Sequence, residues 1–270
     1  MRVNRRYGSC SKIESNVSIS HNVDFEIGEM SIVGTGTKIT GSGVVKFGEY
    51  CHIRPGTLIN VGDGGHVIFG HNALIGERVV LDGASGITAG NNISIGVASH
   101  LYSNMSHGDS LAGYKLNVKK EIFLEDDVTF AGQCLVNPII ARKKSVALLG
   151  SVITTDMKEN RIYEGFPAKD VTKKYGEPWS NLSYIEKVEQ FQHRIKEFSQ
   201  LNLGRDISKI QHCDQVPIID ERIVGVTYFS VMSRTYTKIS TDLERDFLSW
   251  LTSHKGRFIP HVEQLTSCVV

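Results

Sequence analysis

The run from Ile122 to Leu148 spaces its apolar residues by sixes. Ile122, Val128, Cys134, Ile140 and Val146 form one series. Leu124, Phe130, Val136 and Leu148 form a second, two residues on, with Arg142 as its polar member. Earlier, Val67, Ala73 and Val79 keep the same step beside Phe69, Ile75 and Leu81. Ile87, Ile93 and Ser99 repeat it after a short insertion, beside Ala89, Ile95 and Leu101. Weaker copies reach back to Ile13 and Ile19. Residues i and i+2 share one face of a strand. Each hexad therefore predicts a short strand with two inward side chains, then a sharp corner. Three hexads close a triangular coil, and coils stack into a prism in which each unit is stable only against its neighbours. An ordinary sandwich is the alternative, but its strands recur at about 8–12 residues rather than at a strict six.

The stretch YSNMSHGDSLAGYKLNVKK, from Tyr102 to Lys120, drops this rhythm. It is polar, leaves the prism after Leu101 and returns at Ile122, so it predicts an extruded loop over about 102–121 with His107 in its middle. A second change falls at Tyr175–Ser180. Ser183 to Glu186 reads as a capping box. Tyr184, Val188, Phe191, Ile195 and Phe198 then line one face of a helix, with Gly204 as a stop. ERIVGVTYFSV and RTYTKIS read as strands. Thr241 to Glu244 opens another helix, with Leu243, Phe247, Trp250 and Leu251 inward and Gly256 at its end. The expected organisation is a mainly β prism over 1–174 and a small α+β domain over 175–270.

Composition narrows the functions. Lys+Arg number 30 against Asp+Glu 29, for a formal net charge of +1 over 270 residues. That balance argues against a broad electrostatic grip on nucleic acid or on an anionic membrane. Five cysteines, an odd count with no CxxC pair, suit free thiols in a reduced compartment. The N-terminus has basic residues with no apolar run behind them, and no apolar stretch is of spanning length. The expectation is a soluble, cytoplasmic protein.

The hexads, followed by SVITTD at Ser151–Asp156 and EGFPAKDV at Glu164–Val171, resemble the hexapeptide-repeat acyltransferase superfamily. The likeness covers roughly Ile13 to Lys174. Within the superfamily it is nearest the sugar and polysaccharide O-acetyltransferases. The resemblance implies a left-handed parallel β-helix, a homotrimer and transfer from acetyl-coenzyme A to a sugar or glycan hydroxyl, with no metal. It places a catalytic histidine on the extruded loop, and the register counted from Gly90 selects His107. His100 is the rival; it lies between the inward Ser99 and Leu101, so its ring should point out from a strand. Tyr102, Asn104 and Asp109 are the candidate substrate contacts. The acyl donor maps by register onto Ala131, Gly132, Leu149 and Thr154, and its phosphates onto Lys169 and Lys173. The chain departs from the family pattern at Thr155, Thr129 and Glu125, and the coil between Val146 and Ser151 reads one residue short.

The chemistry suits these residues. A sugar hydroxyl attacking a thioester must lose its proton as the bond forms, and a neutral imidazole accepts it best near neutral pH. A carboxylate or a carbonyl on the other ring nitrogen would orient it; Asp109, Glu125, Asp126 and Asp127 are the candidate carboxylates. A backbone N–H would hold the oxyanion. Transfer to a sugar amine, or a non-catalytic scaffold, would use the same prism. A zinc enzyme would need His66 and His71, five apart, to converge with a third ligand such as His52. Trp179 and Trp250 are better explained as packing than as sugar platforms.

Overall fold

The computed structural model describes residues 4–106, 108–202, 204–216 and 223–261. The chain divides into two compact units, Met1–Ser180 and Asn181–Val270. Among the described residues, no helix is long and apolar enough to cross a membrane.

The first unit is a three-sided parallel β-helix. One face stacks Lys12–Ile13, Ile32–Val33, His52–Ile53, Leu74–Ile75, Ser94–Ile95, Thr129–Phe130, Val146–Ala147 and Ile162–Gly165, each parallel to the next. The second takes Ser18–Ile19, the first halves of Lys38–Phe47 and Leu58–Phe69, then Val80–Asp82, His100–Tyr102, Leu135–Val136 and Val152–Ile153. The third takes Arg5–Tyr7, Val23–Ile27, the second halves of the two long strands, Ile87–Ala89, Ile122–Leu124 and Ile140–Ala141. Inward side chains stack in columns, such as Val33, Ile53, Ile75, Ile95, Phe130 and Ala147, all buried.

At one corner the left-handed position is held by residues other than glycine. Met30, Tyr50, Asn72, Asn92, Asp127, Lys144 and Asn160 stack at one corner with φ between 53° and 62°. Left-handed backbone costs a non-glycine residue roughly 1–2 kcal/mol. It also aims each N–H at the coil before: Tyr50 donates to Glu29 O at 2.9 Å, Asn72 to Glu49 O at 2.8 Å, Asn92 to His71 O at 2.8 Å. Hydroxyls occupy inward places next to corners, and those of Thr37 and Ser31 are paired with backbone, while the Ser145 hydroxyl is buried with no partner among the described residues. The Thr37 hydroxyl donates to Gly34 O at 2.7 Å, and the Ser31 hydroxyl donates to Gly48 O at 3.0 Å while accepting from Cys51 N at 2.8 Å.

Two expectations of register need correction. The coils before the loop are longer than three hexads, since Val33, Ile53, Ile75 and Ile95 are stacked neighbours. The surplus gathers at one corner, between the second and third faces, over residues 40–44, 60–66 and 82–86. The extruded segment leaves from that same corner, one coil later. A coil further on, the corner shrinks to Asn137 and Pro138, and this is where the shortened coil lies, rather than between Val146 and Ser151. Ile139, Ala141, Ser145 and Ala147 therefore point inward, while Ile140, Val146 and Leu148 are only half-buried. Ile13 is 39% exposed because its coil has a neighbour on one side only.

In the second unit, Tyr184–Leu201 and Asp242–Ser253 are helices, each begun by its expected cap: Ser183 and Glu186 complete a capping box, and Thr241 accepts from Glu244 N. Ile210–His212, Thr227–Ser230, Thr235–Tyr236 and Ile259–Pro260 form a four-stranded sheet in that order. Phe191, Phe198, Phe229, Tyr236 and Phe247 are buried between them. Tyr184 is instead exposed, its hydroxyl bonded to Asp214, because it occupies the first turn of its helix. Trp250 is half-buried and stacks on His254 at 4.1 Å. Glu244 does more than cap: buried, it accepts from the Thr227 hydroxyl at 3.0 Å, Ile239 N at 2.9 Å and Ser240 N at 3.1 Å.

The register at Pro138 is open to direct measurement. Ile139→Ala should lower unfolding free energy by about 2–5 kcal/mol, as buried large-to-small changes do, and Ile140→Ala by under about 1 kcal/mol. Denaturant titration of the two variants checks this, and equal losses would contradict the observed register.

Candidate active site

The second face carries a site-shaped arrangement along its length. At one end is the corner before it, where Val97, Gly132 and Leu149 come together. A Cβ on Gly132 would lie 3.2 Å from Leu149 Cδ1 and 3.6 Å from Val97 Cγ1. Gly132 has φ +146°, a backbone that favours glycine. Val97 is 42% exposed and Leu149 67%, so two apolar side chains stand in water over the buried backbone of Gly132. Ala131 precedes Gly132 and is exposed. Sequence reasoning passed over Val97, although it stands one coil before Gln133, whose N–H donates to its carbonyl at 2.8 Å. At the other end of the face, roughly 20 Å away at about 3.3 Å per residue, is the stem of the extruded segment.

Between these ends the outward side chains form two rows. One row is Leu58, Val80, His100, Leu135 and Val152; the other is Asn60, Asp82 and Tyr102, continued beside Asn137 and Thr154. His100 points outward, as its place between Ser99 and Leu101 requires, and both of those neighbours are fully buried. Its Nδ1 lies 3.2 Å from the Tyr102 hydroxyl, and the two rings meet edge to face. Thr154 thus shares the Tyr102 row, two coils on.

His107 lies outside the described residues. Its surroundings are described. Asn104–Met105 pairs antiparallel with Val118–Lys119, and the Ser106 hydroxyl bonds to the Asn117 amide oxygen. Asp109 caps the tip, accepting from Leu111 N at 2.9 Å. Asn104 Oδ1 is shielded from water and has no donor among the described residues. Buried polar atoms are normally satisfied, so this amide oxygen is an open acceptor beside the stem. Leu111 is 97% exposed and Leu116 62%, an unusual display for a polar loop.

The carboxylates sort themselves by partner. Glu125 accepts from Arg142 Nη1 at 2.7 Å and Lys143 N at 2.9 Å, which hold its pKa below the usual range. Asp126 accepts from Asn91 N at 2.7 Å, and Asp127 from Asn92 Nδ2 at 3.0 Å. All three knit the corner. Glu121, which sequence reasoning missed, is 3.1 Å from His66 Nε2. His71 Nδ1 accepts from Glu49 N at 3.1 Å. His66 and His71 are thus turned to separate partners. Among the described residues, no three His, Cys, Asp or Glu side chains converge as metal ligands.

Lys169 and Lys173 belong to adjoining elements. Lys169 belongs to the hairpin of Ile162–Gly165 with Ala168–Asp170, opposite Glu164. Lys173 is exposed on the short helix Thr172–Tyr175. Its neighbour Lys174 is engaged with the Tyr175 hydroxyl at 2.6 Å and Glu164 at 3.5 Å.

Solved structures to which the chain is similar include N-acyltransferases and acetyltransferases. One is an N-acyltransferase, AntD of Bacillus cereus, in complex with dTDP and coenzyme A: 16% identity over 72% of this chain and 92% of that one, TM-score 0.38. Another is the polysialic-acid-specific acetyltransferase NeuO, 18% identical over 74% and 98%, TM-score 0.38. A third is a hexapeptide-repeat acetyltransferase of Vibrio cholerae O1 biovar eltor complexed with acetyl-coenzyme A, 19% identical over 54% and 69%, TM-score 0.35. No family model and no curated protein matches the chain.

The thiols bear on mechanism. Cys51 is fully buried, and desolvation pushes its pKa up to about 12. Cys134 is buried too, its Sγ toward Gly132 O at 3.4 Å. Neither is placed to act as a thiolate nucleophile. Native protein treated with iodoacetamide at about pH 8 should be alkylated at exposed Cys10 and spared at Cys51 and Cys134 until denatured. Peptide mass mapping reads this, and modification of native Cys51 would show that the core opens.

Proposed function

We propose that the protein is an acetyl-coenzyme A-dependent acetyltransferase acting on a hydroxyl of a sugar or polysaccharide. The observation that carries the reading is the histidine-bearing segment that leaves an otherwise regular prism at its variable corner. A prism with three complete faces has only convex walls, and an extruded arm supplies one side of a cleft. In this reading His107 is the general base. It takes the proton of the acceptor hydroxyl as the oxygen attacks the thioester carbonyl, and the thiolate of coenzyme A leaves. Tyr102, Asn104 and Asp109 contact the acceptor. The open acceptor atom of Asn104 supports that role. The pantetheine arm runs along the corner of Ala131, Gly132 and Leu149 and past Thr154, with Lys169 and Lys173 meeting the phosphates. The two exposed apolar side chains, Val97 and Leu149, beside the Ala131–Gly132 corner support an extended occupant there. Transfer to a sugar amine uses the same groups, and no residue described here separates the two acceptors.

We also infer a homotrimer with sites shared between subunits. The outward row of Leu58, Val80, Leu135 and Val152 gives a copy of the chain an apolar strip to cover, and closed cyclic assembly turns convex faces into clefts. Light scattering at micromolar concentration should give three times the chain mass; a monomer would remove the shared site.

The decisive experiment screens sugars and glycans with acetyl-coenzyme A for an acetyl mass shift, then compares His107→Ala with His100→Ala on the acceptor found. His107→Ala should lose roughly 10²–10⁴-fold in rate with an unchanged circular dichroism spectrum, since a single change in a polar segment outside the core costs little stability. A dead His100→Ala beside an active His107→Ala would move the base to the strand.

A further inference from the structure

The third face holds a cluster that the reaction does not use. His66, Gly86 and Glu121 occupy one outward row on three successive coils, because their neighbours Val67, Ile87 and Ile122 are in register. His66 Nε2 is 3.1 Å from Glu121 Oε1 and 3.0 Å from the Thr88 hydroxyl. The ring spans a whole coil to do this. It can because Gly86 has no side chain: a Cβ there would lie 2.6 Å from His66 Cε1 and 3.2 Å from Glu121 Cγ. Gly86 also holds φ +102°, so a substitution would strain the backbone as well as block the ring.

Glu121 closes the extruded segment. On one side of it, Lys120 N donates to Ser103 O at 3.1 Å; on the other, Ile122 N donates to Gly86 O at 3.0 Å. Those backbone bonds fix where the chain rejoins the prism, and the carboxylate bound to Thr88 and His66 adds a side-chain tie at the same point. Both partners draw the Glu121 pKa below the usual carboxylate range, so it is held as the anion that accepts these bonds. The pair is partly exposed, 32% for His66 and 44% for Glu121, which suits local orientation rather than global stability.

We propose that Glu121, clamped by His66 and Thr88 across Gly86, is a positioning residue that sets the stem of the extruded segment and so the placement of its histidine. This deepens the acetyltransferase reading and rests on it for the kinetic consequence alone; the clamp is testable without turnover. The experiment is hydrogen exchange by mass spectrometry over residues 103–121, on the full chain, in Glu121→Ala, His66→Ala and His66→Gln. Exchange of the stem amides of Asn104–Met105 and Val118–Lys119 should quicken roughly tenfold in the two alanine variants, as loss of a charge-assisted hydrogen bond allows. His66→Gln, whose amide can still donate, should stay nearer the parent, and Thr88→Val supplies a milder variant should either alanine change fail to fold. On the acceptor found above, kcat should fall roughly 10–100-fold, the scale of a misplaced catalytic group, with the donor KM unchanged. Unaltered stem exchange in Glu121→Ala overturns the proposal, and so does a loosened stem with an unchanged kcat. A loosened stem in a protein that acetylates no acceptor upholds the clamp and removes the acetyltransferase reading instead.

Discussion

Every coil of the prism must return its backbone to the same place. Parallel pairing joins each strand only to those one coil before and one coil after, and the N–H donations run on through the corners: Gln133 to Val97 O, Gly150 to Gly132 O, Asp127 to Asn91 O. A coil that gained or lost a residue within a strand would turn every later side chain to the wrong side. Changes in length are therefore pushed to corners, and here to one corner. It takes residues 40–44 in one coil, 60–66 in the next, 102–121 further on and only 137–138 after that. The extruded segment is the extreme member of this series. The ladder stays closed beneath it, through Ser103 N to Asp82 O and Ile122 N to Gly86 O.

That constraint also sets the shape of the candidate site. The corner of Val97, Gly132 and Leu149 and the stem lie at opposite ends of one face, joined by strands that have no freedom to lengthen. Their separation is a property of strand length and not of loop conformation. A site built on such elements holds its groups more tightly than one built on loops, and only the segment from Asn104 to Lys120 needs side-chain ties of its own. Asp109 at the tip, Ser106 with Asn117 midway and Glu121 at the return are those ties.

Hexad spacing made most inward positions legible, because burial on a prism depends on period alone. Val67 through Leu101 and Ile122 through Val136 are inward as the spacing requires. Legibility failed at Pro138, where Ile139 and Ile140 are both apolar and a shift of one residue costs the pattern nothing. The inward hydroxyl Ser145 offers no hydrophobic signal, whereas half-buried Val146 does. The break at Tyr102–Lys120 was plain in the sequence. The clamp at its base was not, since His66 and Glu121 are 55 residues apart and meet only because an intervening coil presents Gly86. Buried Glu244 was legible as a helix cap, but not as the acceptor that satisfies two backbone N–H groups near its own helix.

The two histidines of the candidate site differ in a way that bears on which can act as a base. His100 stands on a strand whose backbone is paired on both sides, and one ring nitrogen already faces the Tyr102 hydroxyl. Its position is fixed by the prism, so the acceptor would have to come to it across an outward face flanked by Val80 and Leu135. A base on the extruded segment is instead carried out from the face, where it can meet an acceptor lying between the segment and another wall. General-base catalysis needs the proton acceptor within hydrogen-bond reach of the attacking hydroxyl. It also needs water kept from competing for the thioester. An arm with exposed Leu111 and Leu116 would meet both needs once those side chains are covered. The apolar display on a polar segment and the proposal of a base on it then answer one requirement, that the reacting atoms be enclosed by something the single prism does not provide.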